Sequence, residues 1–589
     1  MSIEAGRAGE AGRGSEAGGS TIEARGDSKW DHQFDVVVVG SGGGGLTAAI
    51  CAHDLGQSVV VIEKSDLYGG TTAISGGGVW IPCNHLMGAL GGSDNYDEAL
   101  TYLKAATQGL VAEARLRAYL DHAPQMVRHL EEKARVHFCA MPTYSDYYPE
   151  MRGAKSGYRT CDSMPFDASQ LGEEFARMRP PTPGTLIGGR VQMTAGEAHT
   201  LLTKERGWVF LFIRKLARYW LDLPWRFRTR RDRRLTLGNA LVGSLRRSMM
   251  DRNIPLWLET PLESLVYDGR RIAGVTAIRD GKIIRIGANR GVILAAGGFE
   301  HNQAMRDRYL PQPTKAEWTV TPPANTGDAI RAGQKVGAKL DLMDRAWWAP
   351  TVTVAGREKR RALFVERALP GCVMVNKLGR RFVDEAAPYQ DIVTAMFEDN
   401  QKTGANFPAW LVFDADFRRK YPVGPLLPGM VRPDSSLPKH WADNVYYKSD
   451  SLADLAKRIG IDATGLAESC KRMGEYAASG KDAEFGKGSN TFDRYYGDRN
   501  VKPNPCLGPI AKPPFYAMRI DGGDIGTKGG LLTDEFARVL REDGQPIAGL
   551  YATGNTSAAV MGPSYPGAGS TIGPAMTFGY VAAHHLAGV

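Results

Sequence analysis

Phe34-Asp35-Val36-Val37-Val38-Val39-Gly40-Ser41-Gly42-Gly43-Gly44-Gly45 is an apolar run of buried-strand length that stops at a glycine turn, and Leu46 to Leu55 continues as a helix-like segment. Strand, glycine turn and helix form the context in which Gly-x-Gly-x-x-Gly marks a dinucleotide site. In that reading Gly40 makes the turn, Gly42 lets a pyrophosphate approach the backbone, and Gly45 lets the helix pack on the strand. The helix N-terminus then offers unpaired amides and a positive dipole end to the phosphates. The next strand, Ser58 to Ile62, ends in Glu63, 23 residues after Gly40. That is about the spacing expected of a carboxylate that accepts the ribose hydroxyls, and an acid there disfavours a 2′-phosphate.

Gly69 to Gly78 follows and is too rich in glycine for a core element. A nicotinamide site does not need such a tract, whereas a flavin lying across the sheet needs close backbone approach along its length. FAD is therefore the expected cofactor, with Gly70, Thr71, Thr72, Ser75, Gly76 and Gly77 as candidate contacts. Two later segments have the same form, a short apolar strand ending at glycine: Gly291 to Phe299, with candidates Ala296 and Gly297, and Gly549 to Asn555, with candidates Gly554 and Asn555. These imply an α/β, Rossmann-like FAD-binding domain to whose sheet the chain returns. The tract after Glu63 lacks the histidine a covalent flavin uses, so non-covalent FAD is expected.

The chain of 589 residues is long enough for two or more domains, and its 70 glycines show no Gly-X-Y period. Residues 1–32 are rich in Gly, Ala, Glu, Arg and Ser, and are expected to form a disordered tail without a signal sequence. The seven cysteines are scattered, odd in number and lack Cys-x-x-Cys spacing, which argues against a disulfide framework or a zinc site and favours the cytoplasm; no metal is expected. The net charge of +9 is concentrated: residues 204–234 hold 11 basic and 3 acidic side chains, so nucleic acid is not the expected partner.

That basic stretch lies in an insertion at 183–235. Trp208 to Ile213 leads into a helical pattern in which Arg214, Arg218 and Asp222 share one face and large apolar residues fill most of the rest. Pro224 is expected to end the helix, and Arg226, Arg228, Arg230, Arg231, Arg233 and Arg234 follow. The apolar run is too short and charged to span a bilayer. Two readings compete: an interfacial helix with arginines over anionic headgroups, peripheral at the inner face of the membrane, or a helix packed on its own protein or a dimer mate with a solvated basic loop.

Near the C-terminus, Tyr565-Pro566-Gly567-Ala568-Gly569 sets a phenol and a flexible backbone amide four residues apart, suited to polarising a ketone. Gly526-Thr527-Lys528-Gly529-Gly530-Leu531-Leu532-Thr533-Asp534, Gly549 to Asn555, Met561-Gly562, Tyr565 to Gly569 and Thr571-Ile572-Gly573-Pro574 together resemble the C-terminal signature of flavin-dependent 3-ketosteroid dehydrogenases, the Δ1 enzymes in particular. The resemblance runs from about Phe34 to the C-terminus. It implies an FAD domain at 33–310 and 506–589 with an α+β catalytic domain at 311–505 inserted, as in fumarate reductase flavoproteins, and Thr571 and Ile572 as further FAD contacts.

It also implies the catalytic set. Ser145 to Pro149 is similar to the segment with an assisting tyrosine, Tyr147 or its neighbour Tyr148, and Gly379 to Tyr389 to the segment ending in the proton-abstracting tyrosine, Tyr389. Tyr565 and the Gly569 amide would hold a 3-keto oxygen, and an external acceptor such as a quinone would reoxidise the flavin. Trp347-Trp348 fits either a steroid pocket or ordinary core. The rival functions are a Δ4-(5α)-dehydrogenase, a fumarate-type reductase, and a membrane-docked flavoprotein that transforms nothing.

Overall fold

The computed structural model describes residues 29–354, 356 and 360–589. Val36 to Val39 are all within 4% of full burial, which is why this strand reads as a continuous apolar run rather than an alternating one. The strand His32–Val39 is central in an eight-stranded sheet, paired in parallel with Val59–Ile62 on one side and Lys282–Leu294 on the other. Pro546–Ala552 adds in parallel beyond Lys282–Leu294, with Val292 opposite Leu550 and Leu294 opposite Ala552. One sheet thus collects strands from both chain ends. Val36 and Val38 face one core, Val37 and Val39 the other.

Helix Gly43–Asp54 lies against the C-terminal helix Ile572–Ala587. The approach is so close that a Cβ on Gly44 would meet the Ala575 carbonyl oxygen at 2.6 Å, and one on Gly579 would meet the Gly44 oxygen at 2.5 Å. Of the expected tail 1–32, residues 1–28 lie outside the described residues, but Trp30 to His32 are packed. The Trp30 ring fills the space over Gly274 and Gly287, and Asp31 exchanges hydrogen bonds with Arg285.

A second sheet of six strands is antiparallel, in the order Arg360–Ala362, Ala346–Thr353, Phe515–Thr527, Ala409–Phe413 and Cys372–Val375, with Tyr447–Ser449 also on Phe515–Thr527. Phe515–Thr527 lies beyond the 505/506 boundary expected from sequence, yet it is central here. The chain rejoins the first sheet only at Arg538–Leu540 and Pro546–Ala552. The first turn of helix Tyr389–Thr403, which packs on this second sheet, meets the segment that follows strand Pro546–Ala552, with Gln390 donating to the Pro563 carbonyl.

The basic insertion folds as helices Ala195–Leu202, Trp208–Leu221 and Leu223–Arg228. Pro224 sits in the first turn of the third helix rather than ending the second. The residues of Trp208–Leu221 that face inward are Lys215 and Tyr219: Lys215 is buried on Glu197 at 2.7 Å, and the buried Tyr219 donates to the Arg230 carbonyl. Its large apolar side chains face outward, with Phe210 70%, Ile213 58% and Leu221 77% exposed, followed by Phe227 at 89%. Packing of this face on its own chain would bury them, whereas packing on a dimer mate would leave them exposed in the single chain. Four of the six clustered arginines are spent on the fold, Arg226 on the Arg231 carbonyl, Arg231 on the Phe175 and Met178 carbonyls, Arg233 on Asp167 and Arg234 on Glu197; Arg214, Arg218, Arg228 and Arg230 are exposed. No described helix is long and apolar enough to cross a membrane.

Candidate active site

The glycine turn is built as a cradle. Gly40 adopts φ +108°, and a Cβ there would strike the Ala295 carbonyl oxygen at 2.3 Å. Gly45 presses on the turn itself, its virtual Cβ 2.2 Å from the Gly40 oxygen. By contrast Gly42, Gly70 and Gly76 border open space, with nothing nearer than 3.7 Å. Helix Gly43–Asp54 is preceded by Gly42, which has no side chain to cap it, so first-turn amides remain for an anion.

Glu63 accepts the Ser41 amide (3.0 Å) and hydroxyl (2.6 Å) on one oxygen and the Ser65 amide on the other. A carboxylate has about four acceptor positions, so it braces the turn and still has lone pairs for ribose hydroxyls. Thr72 accepts the Gly43 amide, Thr71 accepts Asn325 Nδ2, and Ser75 accepts the Gly77 amide. Gly77 (φ +68°) has the Leu237 backbone 2.2 Å from its virtual Cβ, so that face of it serves packing. Ala296 and Gly297 follow strand Lys282–Leu294, with the Asn325 side chain 3.1 Å from the virtual Cβ of Gly297. Gly554 (φ +64°) and Asn555 follow strand Pro546–Ala552, and Asn555 accepts Trp347 Nε1 at 3.0 Å. Ile572 opens the C-terminal helix, and Thr571 before it donates to the Tyr565 hydroxyl at 3.3 Å. These open glycine faces and amide ends suit an extended dinucleotide. Gly45→Ala is expected to force the turn apart and give protein largely without FAD, whereas Gly88→Ala, with nothing within 4 Å, keeps it; the flavin-to-protein absorbance ratio is the check.

Three tyrosines from distant segments meet. Ring centroids lie 5.8 Å apart for Tyr147–Tyr389, 5.3 Å for Tyr147–Tyr565 and 5.2 Å for Tyr389–Tyr565. The Tyr389 hydroxyl is influenced by both Tyr565 and Tyr147, and the Tyr565 oxygen by the Gly569 amide. Burial pushes all three phenols above the ordinary tyrosine value; at Tyr565 the contributions of Thr571, Tyr389 and Gly569 offset part of that rise. Tyr148 points elsewhere, donating to Asp391 at 3.1 Å and accepting the Tyr565 amide. Trp347 stands edge-on to Tyr565 at 5.0 Å, and Trp348 packs on Phe397 in the other core. The strand's two-residue period therefore splits the pair. Phe364, 40% exposed and 5.0 Å from Tyr389, carries one wall of the cluster to the surface.

Several residues here were not anticipated. Tyr144 stands edge-on to Tyr147, with ring centroids 6.5 Å apart, and accepts the Tyr496 hydroxyl. Arg367, 1% exposed, donates to the Leu363, Glu385 and Ala387 carbonyls leading to Tyr389. Lys528, fully buried, donates to the Gly562 and Ser564 carbonyls just before Tyr565. Only Lys528 lay within a quoted motif, as a lone cation in a glycine-rich apolar stretch.

The family described as FAD binding domain matches residues 35–572. Curated relatives include a 3-oxosteroid 1-dehydrogenase of Comamonas testosteroni, 42% identical over 95% of this chain and 97% of its own, and one of Mycobacterium tuberculosis H37Rv, 42% identical over 94% and 98%. Among solved structures, 3-ketosteroid Δ1-dehydrogenase from Sterolibacterium denitrificans, in complex with 1,4-androstadiene-3,17-dione, superposes with a TM-score of 0.93 at 55% identity, covering 95% of this chain and all of that one.

Proposed function

The chain belongs to the FAD-binding-domain family that its 3-oxosteroid 1-dehydrogenase relatives share, and on that premise we propose that it catalyses FAD-dependent 1(2)-dehydrogenation of 3-ketosteroids. The observation that carries the reading is the meeting of Tyr147, Tyr389 and Tyr565 with the Gly569 amide in one buried, aromatic site.

Forming the C1–C2 double bond removes a proton from C2 and a hydride from C1. When bound, non-covalent FAD supplies the hydride acceptor. The chain's own residues handle the proton and the ketone. A C–H beside a ketone becomes acidic as enolate charge on oxygen is stabilised, and one preorganised donor contributes roughly 3 to 4 kcal/mol. The Tyr565 hydroxyl and Gly569 amide receive the 3-keto oxygen. Tyr389 takes the C2 proton as phenolate, and the Tyr147 hydroxyl beside it stabilises that phenolate. Arg367 adds positive charge next to Tyr147.

A fumarate-type reading needs free cations for two carboxylates. The cations at this site, Arg367 and Lys528, direct the hydrogen bonds described above to backbone carbonyls, which favours the ketone. The test is anaerobic addition of a 4-ene-3-ketosteroid or of a dicarboxylate. Bleaching of the flavin by the steroid alone is expected; bleaching without steroid turnover, or none, would overturn the assignment.

The outward apolar face of Trp208–Leu221, flanked by exposed arginines, supports peripheral docking on an anionic membrane, where a quinone can serve as external acceptor. Replacing Phe210, Trp220, Leu221 and Phe227 together by serine is expected to move the protein from the pellet to the supernatant when sedimented with phosphatidylglycerol vesicles. Equal sedimentation of both proteins, or none by either, contradicts docking.

A further inference from the structure

The segment Met561 to Ser570 carries the phenol and amide of the ketone clamp but has no strand or α-helix to satisfy its backbone. Buried carbonyls left unpaired are costly, so each needs a partner. Side chains from other elements supply most of them. Tyr102 donates to Pro566 O at 2.6 Å, Ser570 Oγ to Gly567 O at 2.7 Å and Thr160 to Ala568 O at 3.1 Å. Upstream, Gln390, the residue after Tyr389, donates to Pro563 O. The carbonyls on either side of Pro563 both go to one group: Lys528 Nζ donates to Gly562 O at 3.1 Å and Ser564 O at 2.6 Å.

Lys528 reaches the clamp by a second route as well. Its Nζ lies 4.2 Å over the Trp347 ring, whose edge packs on Tyr565, and Trp347 Nε1 donates to Asn555. On a third side, burial pushes the Lys528 ammonium well below its usual value, and Asp391, which accepts Tyr148, the phenol that receives the Tyr565 amide, offsets part of that fall. Asp391 and Gln390 follow Tyr389 on the same helix. Lys528 is therefore where the loop bearing Tyr565 is tied to the ring beside it and to the helix bearing Tyr389. An apolar residue of similar length would fill the space, so packing alone does not call for a fully buried lysine.

We propose that Lys528 is a positioning residue of the ketone clamp, bridging two carbonyls before Tyr565 so that the Tyr565 hydroxyl and Gly569 amide are preset for enolate oxygen. The inference rests on the 3-ketosteroid reading above. A mispositioned donor stabilises the transition state less while ground-state binding changes little, so the effect falls on the limiting rate.

The experiment is stopped-flow reduction of Lys528→Met and Lys528→Gln holoenzymes by a 4-ene-3-ketosteroid, read as limiting rate and steroid dissociation constant. Lys528→Met is expected to lose about 30-fold in rate and Lys528→Gln, which keeps an N–H donor, about 5-fold, with affinity changed less than about threefold. A phenolic A-ring steroid, whose oxygen mimics the enolate, should bind more weakly in the same order. If the methionine variant does not fold, the glutamine variant decides. A rate within twofold of the native enzyme in any folded variant overturns the proposal; absence of reduction in the native protein overturns both it and the functional reading.

Discussion

Tyr389→Phe is expected to leave FAD bound and to slow flavin reduction by a 3-ketosteroid by about 10² to 10⁴-fold, the range a positioned general base contributes. The substitution removes one oxygen and keeps the ring that packs against Tyr147, Phe364 and Tyr565. Tyr389 opens a helix whose first turn is fixed by Gln390 on Pro563, so the ring should stay in place and the loss should report the hydroxyl. Burial raises the Tyr389 phenol, so at neutral pH it carries its proton and little phenolate is available. The reduction rate of the native enzyme should therefore climb as pH rises. In the phenylalanine variant that rise should vanish. Anaerobic stopped-flow rates across pH check both; a variant with native rate removes Tyr389 from proton transfer.

The second large effect is at the ketone. Tyr565→Phe removes one of two donors to the enolate oxygen and is expected to cost about 10²- to 10³-fold in the limiting rate, as loss of one preorganised donor does elsewhere. Steroid affinity should fall far less, because the neutral ketone of the ground state needs the donor less than the enolate does. The Tyr565 oxygen is where Gly569, Thr571 and Tyr389 converge, so the variant should also take one influence away from Tyr389. Single-turnover rates and a phenolic steroid's dissociation constant separate these effects. A loss of affinity with the limiting rate unchanged would make Tyr565 a binding group only.

What was legible in the sequence was local. Strand, glycine turn and helix at Phe34 to Leu55 follow from apolar length and from turns only glycine can make, and these features lie within a single segment. The resemblance then assigned roles to Tyr147 and Tyr389, which nothing in their own neighbourhoods distinguishes from the other tyrosines, whereas Tyr565 was marked by the Pro-Gly-Ala-Gly that follows it. Their meeting depends on a sheet joining both chain ends. Trp347 and Trp348 show the limit: a strand sends neighbours to opposite faces, but which face meets the site is decided by a partner strand from 515–527. Lys528 was hidden for a related reason, since its partners are carbonyls, and carbonyls leave no mark in a sequence. The insertion was legible as amphipathic but not in its polarity, because inward-facing Lys215 depends on Glu197 in another helix.

The most direct test uses a 4-ene-3-ketosteroid carrying deuterium at C1 and C2, oxidised in one anaerobic turnover and analysed for the new double bond. The account predicts a 1,4-diene, with one label lost from each of C1 and C2 and the flavin reduced by one equivalent. A double bond elsewhere, or labels retained at C2 while the flavin bleaches, would contradict it.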